Sequence, residues 1–110
     1  MSDHSLDRLF ATIAARKGAD AKTSYTAQLL AAGVEKCAKK FGEEAVEAVI
    51  AGAARDPKAL AAESADVLYH LLVLWAAAGI TPDDVYAVLK AREAQSGLQE
   101  KAARGKAGGG

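Results

Sequence analysis

Residues 40–70 read KFGEEAVEAVIAGAARDPKALAAESADVLYH, and the reading of this stretch decides the fold. It divides at Arg55-Asp56-Pro57. Asp is a good helix N-cap and Pro is tolerated at the first helical position, so a second helix is expected to start there. Each arm carries acids: Glu43, Glu44 and Glu47 on the first, Glu63 and Asp66 on the second. In an antiparallel hairpin turning near Arg55, residues whose numbers sum to about 110 lie at one height. Glu44 then faces Asp66 and Glu47 faces Glu63, and within each arm the two acids are three apart and share a helix face. Four carboxylates gather in one patch about 12 to 16 Å from the turn, at ~1.5 Å of rise per residue. Such a cluster repels itself unless a cation lies within it. Oxygen donors without His or Cys favour a hard cation, Mg²⁺ or alternatively Mn²⁺, which brings phosphate with it.

Outward from this stretch the pattern stays helical. Leu6, Leu9, Phe10 and Ile13 follow the i, i+3, i+4, i+7 spacing and predict a first helix over 5–17. Ser24 or Thr23 can cap a short helix, Tyr25 to Ala32, with Leu29 and Leu30 inward, and Gly33 marks a bend before a long segment from Val34 to Ala54. On a wheel of ~100° per residue started at Glu43, Val46, Val49, Ile50 and Ala53 fall at about 240° to 340°. Glu43, Glu44 and Glu47 fall at about 0° to 100°, and Lys36 and Lys40 fall within the same sector. Gly42 sits mid-helix, at a cost of ~1 kcal/mol relative to Ala, which a close backbone or ligand contact would explain. The pattern from Pro57 to Ala78 puts Glu63, Asp66 and His70 on the flank of an apolar stripe that includes Leu72 and Trp75. Gly79 stops that helix. Thr81-Pro82-Asp83-Asp84 starts a last one reaching about Ser96, with Val85, Val88 and Leu89 inward. There is no strand signal. The expected fold is all-α, an antiparallel bundle of four to five helices over 1–104, with a disordered Gly-rich tail over 105–110.

Composition bounds the function. Of 110 residues, 51% are in the apolar class, but 27 are Ala and only 5% of the chain is aromatic. Ala favours helix and buries little area, so a core this thin calls for homo-oligomerisation to complete it. A formal net charge of zero gives no argument for a nucleic-acid or membrane partner. A lone cysteine, Cys37, excludes an intrachain disulfide and fits a reducing compartment, with a buried inert thiol as its expected state. The N-terminus lacks the features of a signal peptide, and the run from Val67 to Ile80, broken by Tyr69, His70 and Gly79, falls short of transmembrane length. The expected location is the cytoplasm.

Blander meanings stand beside the site. Surface Glu at these spacings is often a solvated helix face, with Lys36, Lys40 and Lys58 supplying ordinary ion pairs. A di-iron carboxylate bundle lacks its Glu-x-x-His elements here. His70 reads first as a core-edge residue. Arg92, Lys101 and Arg104 are candidates for phosphate contact, though such residues are commonly solvated. No Walker-type loop and no G-x-G-x-x-G fingerprint is present, so a nucleotide would be held mainly through metal and basic side chains.

The pattern Glu43-Glu44-x-x-Glu47 followed by Glu63-x-x-Asp66 resembles the signature of the all-α, MazG-like nucleoside triphosphate pyrophosphohydrolases. More narrowly, the chain is similar to the phosphoribosyl-ATP pyrophosphatase family of histidine biosynthesis. That likeness rests on Ser24-Tyr25-Thr26-Ala27, on Lys40 to Ala45, on Ala65 to Leu74, and on Arg92, Ser96-Gly97 and Glu100-Lys101. The resemblance implies a homodimer or higher assembly, Mg²⁺ dependence, and hydrolysis of phosphoribosyl-ATP to phosphoribosyl-AMP and pyrophosphate. It implies Glu44, Glu47, Glu63 and Asp66 as metal ligands and Glu43 as a further site acid. Glu43 or Glu47 is then the candidate general base, Lys36 and Lys40 candidates for the polyphosphate, and Arg92 and Lys101 for the ribose 5-phosphate. The length and single cysteine fit a free-standing enzyme rather than one fused to the next activity. Two alternatives stay open: a pyrophosphohydrolase clearing other nucleotides, and a non-catalytic helical dimerisation module.

Overall fold

The computed structural model describes residues 4–94, which hold five helices and no strand. They are α1 (Ser5–Ala15), α2 (Tyr25–Ala32), α3 (Val34–Ala53), α4 (Pro57–Ala78) and α5 (Pro82–Glu93). The expected tail and the predicted residues around Ser96 to Lys101 lie outside the described residues. The chain divides into two units, Met1–Ile80 and Thr81–Gly110.

The helix starts are set by local chemistry. Ser24 Oγ accepts the Ala27 N–H at 3.1 Å, Asp56 Oδ1 accepts the Ala59 N–H at 3.1 Å, and Pro57 occupies the first position of α4. Each of these side chains satisfies a donor that the first helical turn leaves unpaired. The stops are equally local. Gly79, at φ 81°, ends α4, while the Ile80 N–H reaches back to the Trp75 carbonyl at 3.0 Å. Arg55 ends α3 with the same geometry: its φ is 57°, its N–H bonds the Gly52 carbonyl at 3.1 Å, and the Asp56 N–H bonds the Ala51 carbonyl at 3.2 Å. A left-handed conformation that glycine adopts freely is strained for arginine. Arg55→Gly is therefore expected to stabilise the chain by about 1 kcal/mol, read as a higher urea midpoint at unchanged m.

In the first unit α3 and α4 form a long antiparallel pair, with α1 against α4 and α2 against both members of the pair. One small core joins them: Ile13 of α1, Leu29 of α2, Cys37 of α3, and Leu72 and Val73 of α4. Leu9, Phe10, Tyr69 and Trp75 pack against it. Cys37 is buried, its thiol donating to the Leu29 carbonyl at 3.2 Å, and burial pushes its pKa up. That is the inert state expected of it. By length and composition α4 passes as a membrane span, because the helix is continuous from Pro57 and not only from Val67. Its buried His70, Leu72 and Val73 make it the core helix of this unit.

The face that α3 turns inward differs from the one its apolar residues mark. Its buried residues are Cys37 and Ala51, at about 120° and 80° on the wheel started at Glu43. This is the sector of small residues and acids. Val46, Val49 and Ile50 point away, at 56%, 68% and 57% exposure. Leu60 and Leu68 of α4 are also exposed. Among the described residues, Gly42 has no atom of another element within 4 Å of where a Cβ would stand, so no packing contact there accounts for it.

The second unit is described only through α5. Thr81 and Asp84 form a capping box, with Thr81 N–H to Asp84 Oδ2 at 2.8 Å and Asp84 N–H to Thr81 Oγ1 at 3.3 Å. Val85 is half-buried, but Val88 and Leu89, read from the sequence as inward, are exposed. Twelve residues of which two bulky ones face solvent do not define an apolar stripe by spacing alone.

Candidate metal centre

The α3–α4 pair places acids from both arms at one level. Glu44, Glu63 and Asp66 each offer a carboxylate oxygen, and these oxygens lie within 4.8 Å of one another. Glu44 and Glu63 are half-buried and Asp66 is exposed. On α4, Glu63 and Asp66 are three apart and share a face; on α3, Glu44 lies in the inward sector with Cys37 and Ala51. The turn at Arg55 sets the register that brings the arms together.

Electrostatics matches this placement. The Glu63 carboxyl is held above its ordinary range, first by partial burial and then by the negative charges of Asp66, Glu47 and Glu44. Each of those charges disfavours a further one, and a bound divalent cation removes the conflict. The donor set suits such an ion: three carboxylate oxygens with no thiolate or imidazole among them, the preference of Mg²⁺ or Mn²⁺.

The remaining candidates are placed differently. Glu47 is exposed and stands outside the group of three, although its charge reaches Glu63. Glu43 is exposed and forms an ion pair with Lys40, Nζ to Oε1 at 3.2 Å, which lowers the Glu43 pKa and raises that of Lys40. Lys36 is exposed on α3, and its charge also acts on Glu43. Arg92 is exposed in the last turn of α5, in the second unit. Lys101 lies outside the described residues.

The sequence reading gave least to an aromatic group beside the acids. His70, one turn beyond Asp66 on α4, is only 7% exposed, and burial pushes its pKa down. Its ring meets Tyr69 edge-on at 4.9 Å and Tyr25 at 6.3 Å, with interplanar angles of 77° and 85°. The Tyr69 and Thr26 hydroxyls share a hydrogen bond that ties α4 to α2. Spacing along one helix cannot find such a group, because it is assembled across 40 and more residues of chain; only the Ser24-Tyr25-Thr26-Ala27 motif hinted at it.

With this geometry in hand, the likenesses to known proteins are informative. The family described as phosphoribosyl-ATP pyrophosphohydrolase matches residues 6–93. A phosphoribosyl-ATP pyrophosphatase of Parvibaculum lavamentivorans is 65% identical over 100 residues, covering 91% of this chain and 92% of that protein. One of Cereibacter sphaeroides is 62% identical over 100 residues, covering 91% of this chain and 97% of that protein. One of Azospirillum brasilense is 59% identical over 99 residues, covering 90% of this chain and 89% of that protein. The match runs through both acidic arms and the motifs around them, and the chain belongs to the phosphoribosyl-ATP pyrophosphohydrolase family.

Proposed function

We propose that the chain hydrolyses phosphoribosyl-ATP to phosphoribosyl-AMP and pyrophosphate, a step of histidine biosynthesis carried out in the cytoplasm by one catalytic domain over 1–104. The observation that carries this reading is the convergence of Glu44, Glu63 and Asp66 in a member of this family. These three carboxylates, with Glu47 beside them, would hold Mg²⁺. When bound, the ion neutralises charge on the triphosphate and lowers the pKa of a coordinated water. The side chains do the rest. Glu47 is the better proton acceptor for the attacking water, because Glu43 is already engaged by the Lys40 ammonium. Lys40 and Lys36 supply positive charge one and two turns from Glu44 for the departing pyrophosphate. Arg92 and Lys101 are assigned to the ribose 5-phosphate.

The test is hydrolysis in oxygen-18 water, with phosphoribosyl-ATP set against a panel of nucleoside triphosphates. Preferential turnover of phosphoribosyl-ATP, with label in one product only, is expected. Equal or better turnover of an ordinary nucleotide would defeat the assignment.

The active form is a homodimer or larger assembly of this chain. Its support is the apolar sector of Val46, Val49 and Ile50, which α3 presents outward, where exposing so many bulky residues is unfavourable. Gly42, at about 260° on the same wheel, lets a second helix approach closely. Changing Val49 and Ile50 together to Asp is expected to give monomers in sedimentation equilibrium and a lower melting temperature. Wild-type mass in that variant would refute the assembly surface.

A further inference from the structure

His70 has no part in the chemistry above, yet it stands on the strip of α4 that carries the metal centre. On a wheel of ~100° per residue started at Glu63, Asp66 falls at about 300° and His70 at about 340°, between the two carboxylates. His70 lies one turn beyond Asp66, away from the hairpin turn. Helical side chains lean toward the N-terminus, which for α4 is the direction of the acids. The register that sets Glu44 level with Asp66 also sets Lys40 level with His70, about 6 Å further along the pair. Lys40 and His70 therefore share one side of the hairpin, at the level to which the departing pyrophosphate is assigned.

The two ring nitrogens of His70 differ. Nδ1 is buried and has no hydrogen-bond partner among the described residues. The ring plane is fixed by edge-on contacts with Tyr69 at 4.9 Å and Tyr25 at 6.3 Å. Nε2 is not enclosed in this way, so it is the nitrogen within reach of a ligand. A neutral imidazole carries its proton on one nitrogen and a lone pair on the other. As with backbone groups, a buried donor is left unpaired less often than a buried acceptor. The carboxylates on the same strip also favour a proton on the open nitrogen. An imidazolium would need a second proton on the enclosed Nδ1, and burial pushes the pKa of His70 down.

We propose that His70 is a phosphate-binding residue, held as the Nε2–H tautomer, that donates a hydrogen bond to the departing pyrophosphate at the level of Lys40. This rests on the function proposed above. A neutral donor suits the place. A second ammonium or a guanidinium there would stand one turn from Asp66 and would pair with the carboxylates, as Lys40 already pairs with Glu43, in competition with a bound cation. A neutral N–H instead offers a fixed dipole to the charge that builds on the leaving oxygens and leaves the carboxylates to the ion. The unpaired Nδ1 is the cost of holding the ring this way, and the two tyrosines are what hold it.

Two measurements on the full chain test this. The first needs no turnover. The sequence has two histidines, so a nitrogen-15 histidine spectrum shows two rings, and comparison with His70→Phe assigns them. At neutral pH the free chain is expected to show His70 with a bare Nδ1 and a protonated Nε2, and Mg²⁺ with pyrophosphate should shift Nε2 more than Nδ1. A proton on Nδ1, a doubly protonated ring, or no response to pyrophosphate would overturn the proposal. The second measurement is product inhibition of phosphoribosyl-ATP hydrolysis with Mg²⁺. In His70→Phe the pyrophosphate inhibition constant is expected to rise about tenfold, the size of one hydrogen bond to a charged group, while that of phosphoribosyl-AMP moves less than about twofold. His70→Gln, whose amide nitrogen extends to the place of Nε2, should return to within about threefold of wild type. His70→Asn, whose amide stops at the place of Nδ1, should behave like His70→Phe. The Gln and Asn pair decides the matter should Phe disturb the fold, which circular dichroism reads. An unchanged pyrophosphate constant, an equal rise for phosphoribosyl-AMP, or no recovery in His70→Gln would overturn the proposal while leaving the hydrolase assignment standing. Absence of phosphoribosyl-ATP turnover in the wild-type chain would instead remove the assignment itself.

Discussion

Glu44→Gln is expected to lower turnover of phosphoribosyl-ATP by about a thousandfold or more and to leave the helical content unchanged. The size follows from what is lost. Glu44 contributes one of three oxygens lying within 4.8 Å of one another, and it is the only one of the three from α3. Removing its charge leaves the two carboxylates of α4 with only Glu47, which stands outside the group of three, on the α3 side to hold a divalent ion. Transition-state charge stabilisation of several kcal/mol then disappears, and each 1.36 kcal/mol is about tenfold in rate. The fold tolerates the change because Gln has nearly the same shape and the cluster is mutually repulsive without a cation. The metal-free variant is therefore expected to melt no lower than the metal-free wild type, and to lose the stabilisation that Mg²⁺ gives the latter. Excess chelator should reproduce the loss of activity in the wild type. Turnover that survives either treatment would show that the carboxylates are not the catalytic centre.

Leu72→Ala is expected to cost about 3 kcal/mol of stability, within the range of ~2 to 5 kcal/mol for buried leucines. Leu72 is 1% exposed and belongs to the five-residue core in which all four helices of the first unit meet. It is one of the few large side chains that are fully buried, so truncating it opens a cavity at the centre of a small core. Domains of this size hold roughly 5 to 10 kcal/mol in total, so the variant should be largely unfolded near its working temperature. Leu89→Ala, at an exposed site on α5, should change stability by less than about 0.5 kcal/mol. Urea unfolding at one fixed protein concentration makes the comparison, since assembly contributes to apparent stability. A loss below about 1 kcal/mol for Leu72 would mean that the core is placed elsewhere.

How far the residues alone reach can be judged on α2 and α4. Their bounds, Tyr25–Ala32 and Pro57–Ala78, agree with the sequence reading because both ends of each helix are decided by neighbouring residues. Ser24 and Asp56 supply the caps, Pro57 cannot sit deeper in a helix, and Gly33 and Gly79 adopt positive φ. The end of α1 was read less well. It stops at Ala15 rather than Lys17, because the residues leading into the positive-φ Gly18 tighten to three-residue bonds, Arg16 N–H to the Ile13 carbonyl and Lys17 N–H to the Ala14 carbonyl.

The level of the acids along the α3–α4 pair was legible for the same reason, since hairpin register follows from the position of the turn. What the sequence determined, then, was the helices, their order and the height of the carboxylates. The tertiary structure decided how each helix is rotated about its own axis. α3 has two faces able to be buried, one of small residues with Cys37, Ala51 and Glu44, and one with Val46, Val49 and Ile50. Alanine and cysteine allow α4 and α2 to approach closely, so the smaller face went inward and the bulkier one was left outside. Periodicity records that a face is apolar, but not which neighbour it will meet; that depends on every other helix competing for the same contact. The Tyr25–His70–Tyr69 group was hidden for the same reason, since its members meet only after α2 has been laid against α4.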